Sequence, residues 1–91
     1  MSVADTIRAK LIEQFSPVRL EISDESHRHA GHAGARPEGE THFSVKIVSA
    51  AFFGQSRVIR QRLVYQTLAA ELATHVHALS LTTLAPDEDE R

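Results

Sequence analysis

Between Thr41 and Leu84 the chain alternates, turns, runs as a helix and alternates again, and few folds accommodate that succession. In Thr41 to Ser49 (THFSVKIVS), Phe43, Val45 and Ile47 fall on one side and Ser44 and Lys46 on the other, the period of a half-buried strand. Gly54 and Ser56 stop this segment, with a short helical turn expected around Ala51 to Phe53, and Ser56 is a suitable N-cap for a helix from Arg57. That helix is expected to bury Val58, Tyr65, Leu68, Ala69 and Leu72, and to leave Arg57, Arg60, Thr67 and Glu71 on a wet ridge. Thr74 and His75 break the pattern. Val76 to Leu84 is rich in Val, Leu and Thr and reads as a strand with His77, Leu79 and Leu81 pointing one way. Two strands joined by a helical crossover favour a parallel pair. The last strand then starts at the sheet end where the preceding one starts, which places His77 near Thr41 and His42.

The residues upstream fit onto this unit. Ser2 and Asp5 have the spacing of a capping box, and Val3, Ile7, Leu11 and Phe15 recur at every fourth position, so a helix runs to about Gln14 or Phe15 and ends at Pro17. Val18, Leu20 and Ile22 alternate with Arg19, Glu21 and Ser23 in a first strand, the hairpin partner of Thr41 to Ser49. The order helix, strand, strand, helix, strand gives an α+β domain. Ninety-one residues hold one core, assigned to residues 1–86, with 87–91 an acidic, disordered, solvated tail. The N-terminus lacks the apolar segment of a secretory signal, and no apolar run is long enough to span a membrane, so the expected location is the cytoplasm. A net charge of −2 gives no overall electrostatic case for nucleic acid, although protonating the six histidines would reverse the sign.

Residues 25–40, ESHRHAGHAGARPEGE, contain three glycines, one proline and no large apolar side chain, and this loop joins the first two strands at the sheet end where His77 belongs. It carries His27, His29 and His32. Neutral imidazole is a ligand for iron, zinc, copper and nickel. One loop imidazole and one from a strand end make half a metal site, and the chain has no cysteine to complete it. The constellation therefore fits a site shared with a partner that supplies sulfur. Blander assignments stand beside this one: solvated loop histidines, His77 as a satisfied core or edge residue, His42 hydrogen-bonded at the sheet end, and His75 at a helix C-terminus. A zinc or nickel buffer built from His27, His29 and His32 is a further alternative. Catalysis has little support. Ser26 lies near His27 and His29, but no third member or oxyanion arrangement accompanies them, and Gly31 and Gly34 precede a strand rather than a helix.

Four ordered segments carry a family resemblance: LEISDESHRHAGH at 20–32, ETHFSVKIVSAAF at 40–52, the Phe-x-Gly turn with RQRLVYQTLAAEL at 60–72, and VHALSL at 76–81. Over roughly Ile7 to Pro86 the chain resembles the BolA family. The resemblance implies an α-β-β-α-α-β arrangement, a three-stranded mixed sheet with helices on one face, similar to the class II KH fold. It also implies a non-enzymatic adaptor that forms a heterodimer with a monothiol glutaredoxin in iron–sulfur cluster trafficking or iron regulation. In such complexes a two-iron two-sulfur cluster is shared: the glutaredoxin cysteine and glutathione hold one iron, and BolA histidines hold the other. The isolated chain, a monomer or weak homodimer, is expected to carry no cofactor. By motif the family histidine falls on His77 and the loop ligand on His29, with His27 and His32 as additional candidates. Some family members are described as DNA-binding regulators; that role would fall on the helix at 57–74, through Arg57, Arg60 and Arg62. Gly54-Gln55-Ser56-Arg57 keeps only the first glycine of the G-x-x-G loop with which KH domains clamp nucleic acid.

Overall fold

The computed structural model describes residues 2–25 and 42–89. Helix α1, Val3–Phe15, begins with the expected capping box: Ser2 Oγ accepts from Asp5 N–H at 3.1 Å and the Asp5 carboxylate accepts from Ser2 N–H at 3.3 Å. It ends at Ser16, whose φ of 43° is left-handed, and Pro17 cannot continue the turn. Strand β1 is Arg19–Asp24, β2 is His42–Val48 and β3 is Ala78–Leu84. Between β2 and β3 lie a 3-10 turn at Ala50–Phe52, helix α2 at Arg57–Thr67 and helix α3 at Ala69–Thr74. Ser56 caps α2 by accepting from Ile59 N–H at 3.2 Å.

The sheet has the order β1-β2-β3. β1 and β2 are antiparallel, with Leu20 opposite Ile47 and Ile22 opposite Val45. β2 and β3 are parallel, from His42 opposite Ala78 to Val48 opposite Leu84. The helical crossover therefore has the outcome expected of it, and β2 and β3 start at one end of the sheet.

Ile7, Leu11 and Phe15 of α1 repeat along one helix face and pack with Phe43, Val45 and Ile47 of β2 and with Val64 and Leu68 from the crossover. Phe52 is fully buried and meets Phe15 at 5.3 Å between ring centroids. The opposite sheet face is polar, with Glu21, Ser23, Ser80 and Thr82 exposed. The alternation in the sequence thus sorts the sheet into a covered and an uncovered side.

Four expectations require correction. The continuous helix after Ser56 is interrupted at Leu68, where φ −103° and ψ 17° separate α2 from α3. Its buried face is also rotated: Val58 is 62% exposed and Tyr65 38%, whereas Arg60, Val64, Leu68 and Glu71 face inward. The stripe 60, 64, 68, 71 has helical spacing, but two of its members are charged, so hydropathy alone selects the wrong phase. Both charges are paired. Glu71 receives Lys10 Nζ on both oxygens, at 2.9 and 2.8 Å, and Arg60 bonds to Gln55 O, Thr83 O and Glu88. Of the residues assigned to a solvated tail, 87–89 are described, and they are tied to the domain. Pro86–Glu88 forms a 3-10 turn in which Glu88 binds Arg60, and Asp89 pairs with Arg19 and Lys46. Val18, expected with Leu20 and Ile22 on the buried side of β1, precedes the strand and is 69% exposed.

Candidate metal centre

His77 stands in the bend between the end of α3 and the start of β3. That bend is held by two donors on one acceptor: the N–H groups of His75 and Val76 both reach Glu71 O at 2.8 Å. Val76 turns into the core, only 4% exposed, so the next side chain is sent the other way. His77 is accordingly exposed, while Leu79 and Leu81 farther along the strand pack against the core. A satisfied core histidine is therefore not what His77 is.

His42 opens β2, directly beside Ala78 of β3. Its carbonyl accepts Glu25 N–H at 2.7 Å, which extends the β1–β2 pairing one residue beyond the strands. His42 is 7% exposed, and its ring lies 5.4 Å from that of His77, centroid to centroid, with the planes tilted by 53°. The expected convergence of His77 and His42 is thus observed, at the sheet end where the described chain leaves at Glu25 and returns at His42. An open depression of about 350 Å³ lies there, lined by Glu25, His42, Ser44, Ala78 and Ser80 with Phe43 and Leu79. His27, His29, His32 and Thr41 lie outside the described residues.

The donor set here is incomplete by itself. Among the described residues no group of three or more His, Cys, Asp or Glu side chains is close enough to hold a metal ion, and the whole chain has no cysteine. An exposed imidazole with no thiolate of the same chain suits a ligand position on a centre completed by another molecule. Among the described residues, the exposed imidazole of His77 is a nitrogen donor open to such a position.

The arginines assigned to nucleic acid separate into two kinds. Arg57 and Arg62 are exposed on α2. Arg60 is 8% exposed, its guanidinium 5.9 Å from the centroid of the Phe52 ring and bonded to the Thr83 carbonyl and Glu88 carboxylate, so it belongs to the core boundary and not to a wet face. The Arg60 hydrogen bond holds the Glu88 carboxyl below the usual carboxylate range, assisted by the Ala85 N–H. Sequence reasoning missed this network because its acceptors are a backbone carbonyl and a residue taken for tail. The spacing of Arg60 with Val64 and Leu68 was the available signal.

The sequence profile of the BolA family, BolA-like protein, matches residues 11–88. The chain belongs to the BolA-like family. It is 51% identical over 87 residues to Protein BOLA1, chloroplastic, of Arabidopsis thaliana, covering 93% of this chain and spanning about half (54%) of that relative. It is 46% identical over 90 residues to the DNA-binding transcriptional regulator BolA of Escherichia coli, covering 99% of this chain and 82% of that protein. The solved structure of BolA1 from Arabidopsis thaliana superposes with a TM-score of 0.88 at 47% identity, covering 98% of this chain and 97% of that one. The fold expected from the BolA-like segments is therefore the fold observed. No helix of the described residues is long and apolar enough to cross a membrane.

Proposed function

We propose that this BolA-like chain is a non-enzymatic adaptor that binds a monothiol glutaredoxin and lends imidazole nitrogens to a two-iron two-sulfur cluster shared with that partner and glutathione. The observation that carries the proposal is the exposed His77 imidazole, set beside His42 at the sheet end from which the histidine-bearing segment departs, in a chain without cysteine. His77 is assigned as one ligand and His29 as the second, with His27 and His32 as alternatives for that second position. The cluster would supply electron-transfer or iron-carrying capacity. The chain's own part is to present a nitrogen donor on a rigid strand end and to leave room for the partner.

The test is reconstitution of the cluster on a monothiol glutaredoxin with glutathione, followed by addition of this protein. Visible circular dichroism should change on mixing, and nitrogen hyperfine coupling should appear in the reduced cluster. Replacing two thiolates by imidazoles should also raise the cluster potential. Spectra that do not change, or that are the same with His77→Ala, would remove the proposal.

A second function, binding of DNA, is favoured by the name of the Escherichia coli relative and by the exposure of Arg57 and Arg62 on α2. It predicts an affinity that falls with salt, since each neutralised phosphate releases counterions. With Arg60 committed internally, the expected slope is that of few phosphate contacts. Binding that is absent at low salt, or insensitive to Arg57→Ala with Arg62→Ala, would dismiss it.

A further inference from the structure

We infer that His42 is a positioning residue for His77: its ring, fixed in β2, is the surface that holds the His77 imidazole in one orientation. The inference rests on the cluster reading for what His77 binds, and on the structure for how it is held. His77 precedes β3 and is exposed, so the strand ladder itself does not confine its side chain. His42, in contrast, is inside the ladder. It is paired with Ala78, bonded through its carbonyl to Glu25 N–H, and almost wholly buried. Ala78, next to His77 in sequence, is abreast of His42 in the ladder. Their centroid separation of 5.4 Å and tilt of 53° fall within the range of favourable aromatic pairs.

The chemical consequence concerns pre-organisation. A metal ligand on a free rotor must be ordered when the metal arrives, whereas a ring already resting on a buried neighbour needs no such ordering. Residues that orient a ligand in this way govern metal affinity without touching the metal. His42 supplies a wall here, and ring contact, not a second nitrogen, is the property it is assigned.

The experiment compares wild type, His42→Ala, His42→Phe and His77→Ala as full-length chains, first without metal. Three-bond couplings and ring-proton shifts of His77 should report a single rotamer in wild type and in His42→Phe, and rotamer averaging in His42→Ala. On mixing with cluster-loaded glutaredoxin and glutathione, His42→Ala should bind the shared cluster roughly tenfold or more weakly, the loss usual for a residue that orients a ligand, and His42→Phe should restore most of it. A His77 ring that is already averaged in wild type, or unaffected by His42→Ala, overturns the inference. So does a His42→Phe chain that keeps the His77 rotamer yet loses the cluster as fully as His77→Ala, because His42 would then be a donor. A wild-type chain that takes up no cluster while showing the expected couplings would defeat the cluster reading and leave the positioning of His77 supported.

Discussion

The two ends of the β2–β3 pair carry similar residue types and use them in opposite ways. At the start, His42 and His77 meet beside an open depression, and the outer ring is left exposed. At the finish, Arg60, Glu88 and the Thr83 carbonyl close on one another over Phe52, and the C-terminal turn is tied to the sheet by Arg19, Lys46 and Asp89. A polar group that is fully paired stabilises a fold and is closed to partners, whereas an exposed donor at a rigid strand end contributes little to stability and is available. The difference separates residues committed to the fold from residues left accessible better than charge or residue type does.

The largest effect should come from the closed end. Arg60→Ala removes a buried guanidinium from the Phe52 ring and leaves the Thr83 carbonyl and Gln55 carbonyl without their donor, at a cost of about 2–4 kcal/mol. Urea denaturation at neutral pH measures it, and a midpoint close to wild type would show that this end is open after all. The acid limb refines the point. Because Arg60 depresses the Glu88 carboxyl below its ordinary value of 4.5, the unfolded chain binds that proton first. The contribution is fully present above the ordinary value and is lost as pH falls through the folded one. Wild type should therefore lose more stability than Arg60→Ala on acidification, and the gap between the two should narrow below about pH 4.

How much of this was legible in the sequence differs between the pairing of strands and the pairing of charges. The strand periods of 18–23 and 41–49 and the crossover length fixed the topology, and topology alone brought His77 to His42. The capping box at Ser2 and the N-cap at Ser56 were likewise readable, since each depends on residues close together in the chain. The inward-facing charges, one near each end, were not readable. Arg60 and Glu71 are inward because their partners, Glu88 and Lys10, lie 28 and 61 positions away. A hydropathy pattern assigns no value to a charge neutralised by so distant a residue. The same blindness made Val58 and Tyr65 look buried and Glu88 and Asp89 look solvated. The loop histidines remain a reading from sequence, as they lie outside the described residues.

An intermediate effect should follow at the Lys10–Glu71 pair, which joins α1 to α3 beneath the bend that presents His77. Lys10 is more exposed than Glu71, with side-chain accessibilities of 37% and 10%, so the pair is partly screened. Lys10→Met should cost about 1–2 kcal/mol, because it leaves a mostly buried carboxylate without its cation, and Glu71→Ala less, because the lysine it strands is exposed enough to be solvated. A double-mutant cycle from chemical denaturation gives the coupling. A coupling near zero would mean that Glu71 is buried for packing alone and that the bend is held by its carbonyl, which the substitution leaves in place.

The smallest effect on stability is expected at the open end, and it is the sharpest test of the contrast. His77 is exposed and sits outside the ladder, so His77→Ala should change the unfolding free energy by no more than about 0.5 kcal/mol, as surface substitutions usually do. Among the described residues, the ring contact it gives up is with His42. If His77 is kept for its nitrogen, that same variant should abolish the change in visible circular dichroism expected when the wild-type chain is mixed with cluster-loaded glutaredoxin. A near-neutral stability together with a lost spectrum is a combination that no residue of the closed end should give, since each of those must weaken the fold before it could alter a ligand. Were His77→Ala instead to destabilise the chain as much as Arg60→Ala, the two ends would be alike and the exposed imidazole would be a structural part after all.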